Sequence, residues 1–291
     1  MKIAVHGRPI KDDAIPYIQV MFDHLKRLQV EVQLHKPFKT ILEKKEIKNT
    51  DYPTYTNKED LFNADFLISI GGDGTLLEAI TIVGERGIPV LGINTGRLGF
   101  LATTAREEIM EAIDRLLNGE YSVKERTLIK LINGEQWFNG INYGLNEFAI
   151  LKRDTSSMIV VHTYINGEYL NSYWADGLLV STPTGSTGYS LSCGGPLVVP
   201  GSNNFIIAPV SPHNLNVRPL IVSDDSTISF EVESRSNNFL ISFDSRSVKV
   251  PSNIKLAVKK ADFKIKLVEL KNYNYYETLR KKLNWGLDLR N

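Results

Sequence analysis

The stretch of this sequence best suited to chemistry is an aspartate set among glycines, Gly71-Gly72-Asp73-Gly74-Thr75. The apolar run before it, Phe66-Leu67-Ile68-Ser69-Ile70, reads as a buried strand, and Leu76-Leu77-Glu78-Ala79-Ile80 after it reads as the opening of a helix. Glycines let a backbone turn tightly and approach a ligand closely. The N–H groups and dipole of a helix N-terminus favour phosphate. A carboxylate in such a turn would repel phosphate unless it holds a metal or takes a proton. Phosphate-binding amides beside a carboxylate therefore point to phosphoryl transfer at Asp73. The plainer reading is a strand–helix turn with Asp73 as its N-cap.

A second dense stretch runs from Asp176 through Thr187-Gly188-Tyr189-Ser190-Leu191-Ser192-Cys193 to Pro196. A sheet strand does not need so many glycines and hydroxyls in a row, whereas a polar ligand touched by backbone does. Tyr189 adds an aromatic face with a polar end. The plainer reading is a surface Ω-loop. Asn146 and Glu147, an amide beside a carboxylate after Tyr143-Gly144, can bind the polar edge of a base or a ribose hydroxyl, or can be an ordinary strand end.

The elements that must position these residues change character along the chain. Up to about residue 103, strands alternate with helices: Lys2–Gly7, a helix carrying Ile15, Ile18, Phe22, Leu25 and Leu28, then 30–34, 66–70 and 88–93. That alternation predicts an α/β domain with a Rossmann-like parallel sheet. Ligands of such sheets sit beyond the carboxyl ends of the strands, where Gly71–Thr75 and Asn94–Gly99 would lie. After one more amphipathic helix (Ile109, Ile113, Leu116), period-two patterns take over and predict a β-rich, sandwich-like domain. Asn133-Gly134 and Asn166-Gly167 read as hairpin turns. The expected division is 1–103, 104–270 and a tail helix in 271–291 returning to the first domain.

Composition excludes some classes. A net charge of +1 gives no broad attraction to nucleic acid or an anionic membrane. No apolar run approaches the roughly 20 residues of a membrane span, and Arg8 and Lys11 follow the first strand too soon for a signal peptide. The single cysteine, Cys193, rules out an internal disulfide and fits a reducing compartment. His6, His24, His35, His162 and His213 lack zinc-ligand spacing.

Taken together, GGDGT at 71–75, GINTGRLGFL at 92–101, Asn146-Glu147, DGLLVSTPTGSTGYSLSCGGP at 176–196 and PHNLNVRPL at 212–220 resemble the NAD kinase family, in its order and over most of the chain. GGDGT is shared with diacylglycerol kinases and phosphofructokinases; the 176–196 motif is specific. The resemblance implies transfer of the ATP γ-phosphate to the adenosine 2′-hydroxyl of NAD, a divalent cation such as magnesium, a cytoplasmic location, and a homodimer or homotetramer. It implies Asp73 as general base. It implies substrate contacts at Asp73, Gly74, Asn146, Glu147, Ser157, Asp176, Thr187, Gly188, Tyr189, Ser190, Leu191, Ser192 and Arg246. Many members have alanine at the place of Gly188 and some have glutamine at that of Arg246. The rival readings are another GGDGT-type kinase acting on a lipid or sugar, and a non-catalytic dinucleotide-binding regulator.

Overall fold

The computed structural model describes residues 1–153, 158–271 and 273–286. The chain divides into two compact units, Met1–Glu125 with Ile265–Asn291, and Arg126–Lys264.

The first unit is α/β. Its elements are β1 (Lys2–Gly7), α1 (Ile15–Arg27), β2 (Glu31–His35), α2 (Lys36–Lys44), β3 (Thr54–Tyr55), β4 (Phe66–Gly71), α3 (Asp73–Val83), β5 (Val90–Asn94), β6 (Thr104–Ala105) and α4 (Ile109–Leu117). The strands pair in parallel in the order β5-β4-β1-β2-β3, with β6 on β5. Alternate residues, Ile3, Val5, Val32, Leu34, Ile68, Ile70 and Ile93, face a core closed by α1, α2 and α4. The other face takes α3, and Gly92 is a glycine because Leu76 and Ala102 crowd its Cα. The parallel register aligns His6 with Ser69, Gly7 with Ile70, and Gly71 with Asn94, so these residues share the carboxyl edge of the sheet.

The second unit is an antiparallel sandwich. Its elements are β7 (Tyr121–Leu131), which starts in the first unit, then β8 (Tyr143–Gly144), β9 (Glu147–Leu151), β10 (Ile159–Ile165), β11 (Glu168–Ala175), β12 (Gly177–Ser181), the short helix α5 (Tyr189–Ser192), β13 (Asn204–Val210), β14 (Leu220–Ser223), β15 (Ile228–Glu233), β16 (Asn238–Phe243), β17 (Arg246–Pro251) and β18 (Leu256–Leu270). A six-stranded sheet runs β14-β13-β12-β9-β16-β17. Its Phe148, Val180, Phe205 and Ile241 meet Val161, Ile228, Phe230 and Val258 of the sheet built on β10, β15 and β18. The other face of β12 and β13 is also covered, by Val198 with Leu179, Ile206 and Ala208, which is why these strands read as continuous apolar runs.

Three differences from the sequence reading have physical causes. The first unit extends to 125 rather than 103, because Ile109, Ala112, Ile113 and Leu116 of α4 belong to the core of the parallel sheet. The tail belongs to that unit from Ile265, inside β18, so the β-rich segment ends before 270; the final helix α6 is Tyr275–Leu283, with the Asn274 side chain accepting from the N–H groups of Tyr276 and Glu277. Asn166-Gly167 is a tight two-residue turn joining Ile165 to Glu168, both turn residues at positive φ, but Asn133-Gly134 opens a longer excursion, and β7 instead pairs with β8.

Candidate active site

Asp73 is the first residue of α3, and the N-cap is Gly72. Its carboxylate therefore does not cap its own helix. It reaches across to the loop after β5. Oδ1 accepts from the N–H groups of Leu101 and Ala102, at 3.0 and 2.9 Å, and Oδ2 accepts from that of Phe100, at 2.8 Å. A side chain at Gly99 would overlap Oδ1, so glycine is what allows the loop to close on the carboxylate. Asn94 shapes the same loop by accepting from Gly96 N–H and donating to the Arg97 carbonyl. A carboxylate offers about four lone-pair directions. Three are taken, and the one left over among the described residues is on Oδ2. A Cβ on Gly74 would meet nothing, so the start of the helix presents open backbone; the N–H groups of Thr75 and Leu76 donate to the Gly72 carbonyl, and those of Asp73 and Gly74 have no acceptor among the described residues.

Beneath this edge lies a buried polar group. His6 stacks on His35 with ring centroids 4.2 Å apart, and His35 lies against Tyr55 at 5.5 Å. Burial, then His6, pushes the His35 imidazole down to about 4. Glu78 faces His6 Nε2 at 3.4 Å and accepts from Arg8 Nε. Those two partners, His6 first, hold its carboxyl down at about 2.

In the second unit the turn before β9 and the helix-like stretch after β12 come together. The Asn146 carbonyl accepts from Thr182 N–H, and Thr182 Oγ1 donates to the Leu145 carbonyl. A side chain at Gly185 would overlap the Asn146 carbonyl oxygen, so glycine lets the 3-10 turn Thr184–Thr187 pack directly on that backbone. A Cβ at Gly188 would lie 3.7 Å from Glu147 Oε2 and 3.9 Å from Asn146 Nδ2. Tyr189 is 38% exposed, which leaves it accessible to a stacking partner. Burial, and after it Cys193, Glu147 and Asp176, raise its phenol. Asp176 pairs with Lys152 at 2.6 Å.

Under this turn sits Asp244, in the turn between β16 and β17. Its carboxylate accepts from the N–H groups of Leu145, Asn146 and Glu147, at 3.0, 2.7 and 3.3 Å. Burial raises its carboxyl, and the three amides work against that rise. Arg246 donates to the carbonyls of Ile141, at 2.7 Å, and Tyr143, and lies over the Phe138 ring. Glu147 is only 8% exposed, and its Oε2 has no hydrogen-bond partner among the described residues. Burial first, and the neighbouring Asp244 second, raise its carboxyl to about 8.

Models of the ATP-NAD kinase N-terminal and C-terminal domains match residues 3–121 and 145–270. The chain belongs to the NAD kinase family. A NAD kinase of Cytophaga hutchinsonii is 62% identical over 292 residues, covering 100% of both chains. One of Flavobacterium psychrophilum is 46% identical and one of Bacteroides fragilis 44%, each again covering 100% of both chains. The crystal structure of an Archaeoglobus fulgidus NAD kinase in complex with ATP matches at a TM-score of 0.75 and 28% identity, covering 98% of this chain and 99% of that one. Yeast NADH kinase complexed with NADH shares the fold at a TM-score of 0.86, with 22% identity, over 100% of this chain and 89% of that one. An NAD kinase fold thus accounts for the pairing of a parallel sheet with an antiparallel sandwich.

Within that NAD kinase fold, the residues expected from the motifs are placed unevenly. Asn146, Glu147, Gly188 and Tyr189 converge, and Thr187 and Ser192 flank them. Leu191 is half-buried on α5. Ser190 is turned inward, its buried hydroxyl against Gly195. Arg246 is committed to two backbone carbonyls, which makes it a support of the Asn146 turn rather than a surface group. Asp73 and Gly74 belong to the first unit. Ser157 lies outside the described residues. The sequence reading missed Asp244, the amides of residues 100–102, and the His6–His35–Tyr55 stack. Asp244 follows a strand and precedes Ser245, which signals only a hairpin turn.

Proposed function

We propose that this chain transfers the γ-phosphate of ATP to the adenosine 2′-hydroxyl of NAD, giving NADP. The observation that carries the chemistry is Asp73: a carboxylate held by three amides, with one lone pair left on Oδ2, beside the open start of α3. A secondary hydroxyl needs alignment and a place for its proton. Oδ2 supplies both late in a loose transition state, where positioning and charge neutralisation dominate. The N–H groups of the α3 start favour the phosphate that leaves ADP. Asn146, Glu147, Asp176, Thr187, Gly188, Tyr189, Ser192 and the backbone of Ser190 and Leu191 are the proposed dinucleotide contacts, and Arg246 serves them by bracing the turn.

Among the described residues no group of three or more His, Cys, Asp or Glu could hold a metal ion. The proposed divalent cation enters with the substrate, as magnesium bound to the triphosphate, because magnesium binds through phosphate oxygens and few protein ligands. It supplies charge neutralisation on the transferring group. A cytoplasmic location belongs to the same proposal. Among the described residues no helix is long and apolar enough to cross a membrane.

A coupled assay with NAD, ATP and magnesium, reading NADP, tests the activity; a lipid or sugar substrate in place of NAD tests the rival. Tyr189→Ala is expected to raise the KM for NAD several-fold, since aromatic stacking contributes on the order of 1 kcal/mol, and to leave that for ATP nearly unchanged. Equal weakening toward both substrates would reduce Tyr189 to a packing residue. A homodimer or homotetramer is also proposed. Trp174, 55% exposed, and the edge strand β14 with Ile221, 48% exposed, offer apolar surface for it. Sedimentation at micromolar concentration is expected to show an oligomer, and a monomer of full activity would end that part of the proposal.

A further inference from the structure

We propose that Glu147 meets the dinucleotide as a neutral carboxylic acid, donating the hydrogen on Oε2 to an acceptor atom of the adenosine half, a ring nitrogen or a ribose oxygen. The inference rests on the reading that NAD binds at this turn, and goes beyond it by fixing which partner donates. Two carboxyl groups, those of Glu147 and Asp244, lie at one turn. Asp244 accepts from three N–H groups, each of which favours a charged acceptor. Glu147 Oε2 accepts from none among the described residues. Two buried like charges cannot both persist, so the proton goes to the group without donors. The pair thus holds one negative charge, on Asp244, and one O–H, on Glu147.

The surroundings agree. From the turn after β16, Asp244 faces Glu147 with negative charge. From the start of β17, Arg246 turns its guanidinium to the carbonyls of Ile141 and Tyr143. From α5 and the residue after it come the Tyr189 phenol and the Cys193 thiol, both of which burial pushes up, favouring their uncharged forms. From its own turn, Asn146 contributes a neutral amide. No Lys or Arg forms an ion pair with Glu147 among the described residues. An unpaired, buried O–H is costly, and an acceptor on a bound dinucleotide relieves that cost. Gly188 is the neighbour on the side of the ligand turn: a Cβ there would stand 3.7 Å from Oε2 and 3.9 Å from Asn146 Nδ2.

The test compares the wild-type chain with Glu147→Gln, which keeps the shape and a donor but cannot titrate. NAD binding is followed by calorimetry from pH 6 to pH 9. Wild-type affinity is expected to hold to about pH 8 and to fall above it, approaching about tenfold per pH unit. Glu147→Gln is expected to bind within about threefold of wild type at pH 7, with no fall by pH 9. A tenfold or greater loss on Glu147→Gln at pH 7, or a flat wild-type profile, would overturn the proposal, because a charged Glu147 accepting from ribose hydroxyls gives those results.

Unfolding supplies an arm that needs no ligand. The carboxyl is at about 8 in the fold against an ordinary 4.5. The folded chain then keeps a proton that the unfolded chain has lost. Wild-type stability, relative to Glu147→Gln, is expected to be greatest below pH 4.5, to decline as pH rises toward 8, and to level off above it. A constant difference would show Glu147 charged throughout and overturn the proposal. Absence of wild-type NAD binding together with that decline would overturn the NAD-site reading and with it the donation to NAD, and would leave only the protonation state of Glu147 standing.

Discussion

Replacing Asp73 by Asn is expected to lower kcat for NADP formation by about 10²–10⁴-fold, the usual contribution of a general base, while NAD affinity measured by calorimetry changes little. The charge and the free Oδ2 lone pair are both lost. The geometry adds a second consequence. An amide has one carbonyl oxygen to offer three N–H groups. Turned to keep Leu101 and Ala102, it sets its own NH₂ against the Phe100 N–H, donor against donor. The loop at 99–102 is then held less firmly, and thermal unfolding should shift down by the equivalent of about 1–3 kcal/mol for one unsatisfied donor. Near-normal turnover in a folded Asp73→Asn chain would remove Asp73 from the mechanism. A large loss of NAD affinity with kcat intact would make it a ribose-binding residue instead.

The largest loss of stability is expected from Asp244→Ala. One carboxylate serves the N–H groups of Leu145, Asn146 and Glu147, and its removal leaves all three without an acceptor. Losing one member of a buried, charge-assisted set costs about 3–5 kcal/mol, against a whole-domain stability of about 5–15 kcal/mol. Asp244 also has φ of 50°, a conformation that asparagine tolerates and alanine resists. Asp244→Asn should therefore recover part of the loss, having both an acceptor oxygen and tolerance of that backbone. The midpoints of thermal and urea unfolding measure both variants. An Asp244→Ala chain that melts with the wild type would show that the turn before β9 is held by its neighbours in β12 and the 3-10 turn, and that the carboxylate is incidental.

Much of the fold was legible because its signals are local. The run 66–70 followed by two glycines is a strand ending at a helix start wherever it occurs, and β4 and α3 stand where the periodicity puts them. Alternation of strand and helix patterns implied the parallel sheet, and the change to period two implied the sandwich. Asn166-Gly167 made its hairpin because a two-residue turn with both residues at positive φ depends on those two residues alone. Asn133-Gly134 has the same chemistry, and Asn133 does reach positive φ. The strand that follows, however, is β8, drawn to β7 further along.

The motifs at 71–75 and 176–196 likewise named Asp73 and Tyr189 directly, as residue types in a pattern. What they could not convey is what holds those groups. Asp73 looks like an N-cap in the sequence, yet its acceptors serve amides 27, 28 and 29 residues away. Asp244 looks like a hairpin turn, yet it braces Asn146 from 98 residues away. The boundary at 125 followed from α4 finding the core of the parallel sheet rather than the sandwich. The protonation of Glu147 depends on burial and on Asp244 together. Backbone preference and side-chain period are properties of neighbours in the chain, so the sequence by itself determined the elements and the motifs they carry. Hydrogen-bond partners, burial and the sharing of charge between carboxylates arise only when distant segments pack, and those the tertiary structure decided.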